Sequence, residues 1–351
     1  MNSNQIISVS DFSDFEEYLR NVCHYLKKFS NTWQDECERL AQEALAEIKK
    51  KGIFAQEYPV ILDQLAYQRW HHGDSDGALK LLDSSDDFRK RENNYTDFTW
   101  GVMTRSMILW NRGAYRESLE AVHAGLEKVR LMGDSIRSGI LNWVLGVIYY
   151  DMQEFDRSIQ HYKETIRQCK EDEYMEFSSY AYAYIGLGCA LKAKGEFSEA
   201  LQCFFKALNK SRENELWMEE SRALYELGML EFELGKYPNA EVYLQDSLKL
   251  RQARSNDFSS ITNLLALGEI QLKLNSIDKA YDYFEKSLLI AERIGSKPKL
   301  VQIHMALSQY YKQAGNYENA FKHLEKSAKI SKEINSIDLD KRFDEIRNFS
   351  F

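Results

Sequence analysis

Proline is scarce in this chain, with three residues in 351, Pro59, Pro238 and Pro298. The interior of an α-helix excludes proline most strongly, so long stretches without it favour helices. Long apolar runs are missing too, because nowhere do about 18 uncharged apolar residues follow one another, as a transmembrane helix requires. The amino terminus also lacks the basic start and apolar run of a secretory signal. The sequence therefore predicts an all-α, cytoplasmic protein.

Cysteine offers no framework for disulfides or zinc. There are five cysteines, an odd number with no close pair and no CxxC spacing: Cys23, Cys37, Cys169, Cys189 and Cys203. This pattern fits a reducing compartment. Histidine clusters only at His71-His72, which we interpret as a solvated helix end rather than a metal site. We expect no metal and no cofactor.

Clustered positive charge is also lacking. The formal net charge is −8, and no basic run is dense enough to override it, which argues against a nucleic-acid partner. No phosphate-binding, metalloprotease or serine-hydrolase motif is present at its required spacing. We therefore expect that the chain is not an enzyme and that it contacts neither nucleic acid nor membrane.

Internal repetition is the strongest feature that the chain does have. The segment GEFSEALQCFFKAL, from Gly195, recurs as GKYPNAEVYLQDSL from Gly235, NSIDKAYDYFEKSL from Asn275 and GNYENAFKHLEKSA from Gly315. Related segments begin at Gly73, Gly113 and Gln153, so seven copies are visible. Each copy joins two amphipathic stretches through a short turn, which predicts a helical hairpin. Glycine or asparagine opens six of the turns, whereas Gln153 is expected to fit its turn less well.

Two columns of the repeat hold only small residues, which predicts close crossing of the paired helices. In the first helix the column consists of Ala66, Ser106, Gly146, Gly188, Gly228, Gly268 and Ser308. In the second helix it consists of Ala78, Ser118, Ser158, Ala200, Ala240, Ala280 and Ala320.

With these columns the chain resembles the tetratricopeptide repeat family, and residues 184–208, YIGLGCALKAKGEFSEALQCFFKAL, match the family pattern nearly throughout. The spacing of 40 to 42 residues exceeds the usual 34 of that family, as in long-helix members from bacterial signalling proteins. The resemblance implies a right-handed α-solenoid, a superhelix of antiparallel hairpins. We predict an N-terminal helical pair or capping repeat over 1–57, seven repeats over 58–336 and a capping helix or connector over 337–351. The repeats are expected at about 58–98, 99–138, 139–180, 181–220, 221–260, 261–300 and 301–336.

The resemblance also implies that the first helix of each hairpin lines a concave groove. The groove columns are rich in aromatic residues and methionine towards the amino-terminal half and become more polar afterwards. The candidate partner-binding residues are Tyr67, Trp70, Trp100, Met103, Met107, Trp110, Trp143, Tyr150, Tyr182, Tyr225, Met229 and Phe232. An alternative is that some of these side chains fill space between helices or lie under the N-terminal helices.

Such a groove suits an apolar or amphipathic segment of a protein partner. The leading hypothesis is therefore a scaffold or sensor module, fused to or associated with a signalling output domain. The alternative is a peptide-responsive regulator resembling the Rap-type proteins, which also place a helical bundle before a long-helix array. Those relatives bind the peptide backbone with groove asparagines, and Asn111 is almost the only asparagine at such a position here. The Lys/Asn/Arg cluster with which some family members clamp a terminal carboxylate is not reproduced in these columns.

Overall fold

A computed structural model of the chain describes residues 14–29, 34–54, 56–95, 97–170, 177–254 and 256–348. Side chains are described for all of these except 28, 29, 34, 135, 136, 169, 170, 177–179 and 334–348. Within these ranges the chain forms sixteen α-helices and no strand. None of the described helices is both long enough and apolar enough to cross a bilayer.

The helices follow one another through short turns. They are α1 (Phe15–Phe29), α2 (Gln34–Lys51), α3 (Tyr58–His71), α4 (Ser75–Glu92), α5 (Thr99–Asn111), α6 (Tyr115–Met132), α7 (Ser135–Asp151), α8 (Phe155–Lys170), α9 (Phe177–Ala193), α10 (Phe197–Glu213), α11 (Trp217–Glu233), α12 (Tyr237–Ala253), α13 (Asp257–Lys273), α14 (Ile277–Arg293), α15 (Lys297–Gln313) and α16 (Tyr317–Asn348).

The chain divides into two compact units, unit 1 over Met1–Met175 and unit 2 over Glu176–Phe351. In unit 1, α3 pairs with α4, α5 with α6 and α7 with α8, and the first helices α3, α5 and α7 contact one another in sequence. In unit 2, α9 to α16 form four such pairs, and the first helices α9, α11, α13 and α15 contact in the same order. Each unit is thus a stack of helical hairpins, as the α-solenoid prediction requires.

The turn residues adopt the backbone conformation that the sequence predicted. Gly195, Gly235 and Gly315 have φ angles of +81°, +73° and +75°. Gln153 has φ of +60°, a region that costs a residue with a Cβ roughly 1–2 kcal/mol. Its turn therefore carries more strain than the glycine turns of the series, as expected.

The glycines of the small column make room for side chains of the second helix. A Cβ at Gly188 would lie 2.5 Å from the Phe204 ring, and a Cβ at Gly146 would lie 2.6 Å from the Tyr162 ring. A serine in the second-helix column adds a hydrogen bond between the two helices, because Ser158 Oγ donates to the Gly146 carbonyl at 2.8 Å. The small column therefore seats an aromatic ring or a hydrogen bond at each of these crossings.

The helix bounds differ from the predicted repeat bounds in two places. From the third repeat onward each first helix begins about one turn before the expected repeat start, as α7 does at Ser135 and α13 at Asp257, where 139 and 261 were expected. The starts are fixed by caps: Asp134 accepts from the Arg137 amide at 2.9 Å, and Asn256 accepts from the Ser259 amide at 3.2 Å. At the other end, α16 continues through residue 336 to Asn348, because no glycine or proline interrupts it where a separate segment over 337–351 was expected. Residues 349–351 lie outside the described residues.

The N-terminal helices α1 and α2 pack on α3. Leu19, Val22 and Leu26 of α1 share an apolar cluster with Ala44 and Ile48 of α2 and with three residues of α3: Val60, Ile61 and Leu65. This cluster contains none of the predicted groove residues, among the residues that the structure describes. Residues 1–13 of the predicted N-terminal segment lie outside the described ranges.

Candidate functional site

Seven of the predicted partner-binding residues come together on the first helices of unit 1. We call this surface the unit 1 face, and it consists of Tyr67 and Trp70 on α3, Trp100, Met103, Met107 and Trp110 on α5, and Trp143 on α7. All seven belong to one apolar cluster. The Tyr67 ring contacts Trp70 at 6.0 Å and Trp100 at 5.4 Å between ring centroids. A repeat that returns each first helix to the same register thus gathers aromatic residues from three separate stretches of sequence.

The seven side chains differ in exposure. Tyr67 is only 7% exposed and Met103 only 9%, so both belong to the core. The other five are half-buried and pack around them. The accessible part of the unit 1 face is therefore formed by four tryptophans and one methionine, Trp70, Trp100, Met107, Trp110 and Trp143.

A hydrogen bond orients one of these tryptophans. Trp110 Nε1 donates to Asp151 Oδ2 at 3.2 Å, and the Tyr115 hydroxyl lies 3.4 Å from the same oxygen. Asp151 ends α7, next to Tyr150, which is half-buried and lies 5.7 Å from the Phe155 ring. Because the indole is held at its polar edge, its apolar body keeps a fixed orientation.

The predicted residues of unit 2 lie in a more polar setting. Met229 and Phe232 pack half-buried against the core of α12 and α13, together with Tyr225. Tyr182 of α9 is half-buried. Around Tyr225 the neighbours are charged, since the guanidinium groups of Arg222 and Arg251 lie 6.0 and 5.3 Å from its ring centroid.

A network of ion pairs surrounds this part of unit 2. Glu226 pairs with Arg222 at 2.9 Å and with Lys192 at 3.6 Å, and Lys192 also lies 3.4 Å from Glu233. The field of Glu226 contributes to a raised pKa for Lys192, although burial alone would lower it. The sequence pattern had given no role to this network or to Arg251.

No nucleophile stands out among the cysteines. Burial raises the pKa of the Cys23 and Cys37 thiols to about 12, and it also holds the pKa of Cys189 far above its usual value. A thiol that stays protonated is a poor nucleophile. The side chain of Cys169 lies outside the described residues.

The residues that the structure describes contain no group of three or more His, Cys, Asp or Glu side chains that could hold a metal ion. The histidine pair noted in the sequence is divided between two environments. His71 lies against the Tyr67 ring at 4.4 Å, and burial lowers its pKa. His72 contacts Glu38 of α2 through Nδ1 at 2.8 Å and Asp35 through Nε2 at 3.2 Å.

Solved structures similar to this one are helical repeat proteins. A signal-transduction ATPase with numerous domains and a tetratricopeptide repeat sensor, from Pyrococcus horikoshii, aligns with a TM-score of 0.67 and 13% identity over 95% of this chain and 50% of its own. A Rap protein complexed with competence and sporulation factor aligns with a TM-score of 0.64 and 15% identity over 92% of this chain and 99% of its own. Aspartyl phosphate phosphatase F from Bacillus subtilis aligns with a TM-score of 0.57 and 16% identity over 93% of this chain and 96% of its own. At these identities the likeness shows the fold alone.

Family membership is carried by the sequence. None of the curated proteins matches the chain in sequence. Sequence models of the tetratricopeptide repeat match residues 137–213, 185–257 and 258–333, a continuous span from 137 to 333 that exceeds half of the 351 residues. The chain belongs to the tetratricopeptide repeat family.

Proposed function

We propose that this chain is a non-catalytic protein-interaction module, a scaffold or sensor that binds a peptide or helix of its partner on the unit 1 face. The observation that carries the proposal is the grouping of Trp70, Trp100, Trp110 and Trp143, half-buried, on three adjacent first helices. Tryptophan supplies a large contact area at low cost in side-chain entropy and dominates many protein interfaces. An apolar or amphipathic segment is the ligand that fits such a surface.

The chemistry of the rest of the molecule supports a binding role. Shielded thiols and the lack of a metal cluster in the described residues give no support to a catalytic mechanism. The net charge of −8 disfavours a nucleic-acid partner. A polypeptide is therefore the partner class that we propose, with a signalling output domain as its source or associate.

A second candidate function is a peptide-responsive regulator of a response regulator or transcription factor. It is favoured by the alignment with a Rap protein complexed with competence and sporulation factor, which extends over 92% of this chain and 99% of that one. In this case a short peptide would release a larger partner instead of being the partner itself. Adding peptide fractions from the source culture to a captured complex separates the two: release of the partner favours the regulator, and retention favours the scaffold.

The test of the binding face is affinity capture from the source cell with a double variant, Trp110→Ala with Trp143→Ala. We expect the variant to keep the helical circular dichroism of the wild type, which shows that it folds. We expect it to lose the partner that the wild type captures. Trp217→Ala is the matched control, because Trp217 is a half-buried tryptophan at the start of α11 in unit 2. If the double variant captures the same proteins as the wild type, the face is wrongly assigned.

A further inference from the structure

Two hairpins place an arginine at the same repeat position. Arg89 of α4 and Arg251 of α12 stand at the same distance from the turn residues Gly73 and Gly235. Both are almost fully buried, at 1% and 5% exposure. The other hairpins have small or apolar residues there, namely Val129, Cys169, Ser211, Ala291 and Ser331. The position belongs to the core of the repeat, where a charge requires compensation.

In unit 1 the compensation is built into the chain. Arg89 Nη2 donates to Asp63 Oδ2 at 2.6 Å, and Nη1 donates to Oδ1 at 3.3 Å. This is the two-pronged geometry in which a guanidinium binds a carboxylate most strongly. Gly101 of α5 leaves the space, because a Cβ there would lie 2.8 Å from the Asp63 carboxyl group.

In unit 2 the position of Asp63 is occupied by Tyr225, so the carboxylate is replaced by an aromatic ring. Arg251 Nη1 donates to the Ser259 carbonyl at 2.8 Å and to Asn263 Oδ1, and Nε lies 3.5 Å from Ser221 Oγ. These partners are all neutral. Among the described residues, no carboxylate forms an ion pair with Arg251, whose hydrogen bonds go to neutral groups.

The surroundings of Arg251 carry excess positive charge. Burial and then the charge of Arg222 lower the pKa of Arg251 to about 10. Lys299 of α15 adds a third cation, with a pKa lowered by burial and by Arg251, and its Nζ lies 3.0 Å from Thr262 Oγ1. Glu226 is the carboxylate that favours the charged form of Arg251, but it is already paired with Arg222 and Lys192. A further anion would therefore be stabilised at this point.

We propose that Arg251, with Arg222 and Lys299, binds a carboxylate of the partner polypeptide, which takes the role that Asp63 has beside Arg89 in unit 1. The site deepens the proposed function and rests on it, because the carboxylate is that of the bound polypeptide. Its principal residue lies on the second helix of a hairpin, not in the first-helix columns from which some family members clamp a terminal carboxylate. A carboxylate is the anion that fits, since the same guanidinium position already binds one in unit 1.

The experiment uses small probes in place of the partner and measures the melting temperature of the full chain at constant ionic strength. N-acetylaspartate α-amide carries a side-chain carboxylate, N-acetylalanine carries a terminal carboxylate, and N-acetylalanine amide is neutral. We expect a saturable rise of about 2–4 °C with one or both carboxylates at roughly ten times the Kd, and none with the amide. The probe that gives the larger shift in melting temperature shows whether the partner's carboxylate belongs to a side chain or to a chain terminus.

Variants assign the effect to the site. Arg251→Gln is expected to abolish the rise, whereas Arg254→Gln, an exposed arginine near the end of the same helix, retains it. Tyr225→Asp introduces a carboxylate of the chain itself beside Arg251, so it is also expected to abolish the rise. This second variant keeps the proposal testable if Arg251→Gln does not fold. The proposal is overturned if the wild type responds no more to the carboxylates than to chloride, or if Arg251→Gln or Tyr225→Asp responds as the wild type does. This assay contains no partner polypeptide, so it tests the carboxylate site separately from the unit 1 face. The carboxylate proposal can therefore fail while the capture experiment with the tryptophan variants succeeds, and the capture experiment can fail while the carboxylate proposal holds.

Discussion

The hairpin α3–α4 of unit 1 and the hairpin α11–α12 of unit 2 use the same repeat positions for opposite purposes. In the first, Asp63 neutralises Arg89 inside the core. In the second, Tyr225 stands where the aspartate would be, and Arg251 has only neutral partners among the described residues. The repeat therefore fixes where a side chain lies, but it does not fix whether the charge at that position is satisfied by the chain itself.

A third position completes the comparison. Gly101 on α5 is the counterpart of Asn263 on α13. The glycine leaves room for the Asp63 carboxyl group, whereas the asparagine reaches Arg251 with its amide oxygen and donates from Nδ2 to the Leu244 carbonyl at 2.9 Å. The amide replaces the hydrogen bonds of a carboxylate but not its charge, which is why we regard the unit 2 position as incomplete.

The largest effect is expected from removing the carboxylate that unit 1 contains. Asp63→Ala leaves Arg89 buried without a counter-charge, which should lower the free energy of unfolding by about 3–5 kcal/mol. Urea unfolding followed by circular dichroism measures the loss. Tyr225→Phe is the matched change in unit 2 and keeps the ring beside Arg251, so it should cost less than about 1 kcal/mol. Equal losses would show that the two positions do not differ as described.

A smaller effect on stability is expected from lowering the pH, which acts on a pair of histidines in unit 2. The Nδ1 atoms of His304 and His323 lie 3.1 Å apart, and the Tyr311 ring stacks on His323 at 5.3 Å. Burial, then His304 and Lys326, lowers the pKa of His323 to about 4, below its ordinary 6.5. Because the folded state disfavours the proton, this stability is present above pH 6.5 and is lost as the pH falls towards 4.

The measurement is the difference in unfolding free energy between pH 7 and pH 4.5. Solvent partly screens the pair, so His323→Gln should reduce this difference by about 1 kcal/mol. Lys329→Gln, on the exposed side of the same helix, should leave it unchanged. His71 and His161 of unit 1 also have lowered pKa values because of burial, so part of the acid effect remains in the variant. An unchanged pH dependence in His323→Gln would contradict this account of the pair.

The fold could be predicted from the sequence because residues that recur at the same repeat position have the same structural role in each hairpin. The small columns that include Gly188 and Ala200 marked the helix crossings, and the glycine turns marked the connections. Helix starts were harder, because the caps at Asp134 and Asn256 lie outside the strongly repeated segment. A first-helix column predicts which side of the helix a residue lies on, but it does not predict how far its side chain is buried. The sequence therefore could not tell that Tyr67 belongs to the core whereas Trp70 is only half-buried.

The charged site of unit 2 had a signal that the sequence analysis did not use. Arg89 and Arg251 are the two charged residues in a column that is otherwise small or apolar, and alignment of the repeats shows this directly. Their different partners could not be found in the same way. The partner of Arg89 comes from another helix, and the neutral contacts of Arg251 come from α11 and α13. Such contacts follow from three-dimensional packing, which one column of sequence does not encode.

The most direct test of the central claim is a double-mutant cycle between positions 225 and 251, from the unfolding free energies of the wild type, Tyr225→Asp, Arg251→Gln and the double variant. If Arg251 lacks a charged partner, a carboxylate introduced at position 225 should pair with it as Asp63 pairs with Arg89. We predict a favourable coupling energy of about 2 kcal/mol, within the range of contacting charged pairs. A coupling near zero, or an unfavourable one, would contradict the claim that unit 2 keeps a place for a carboxylate beside Arg251.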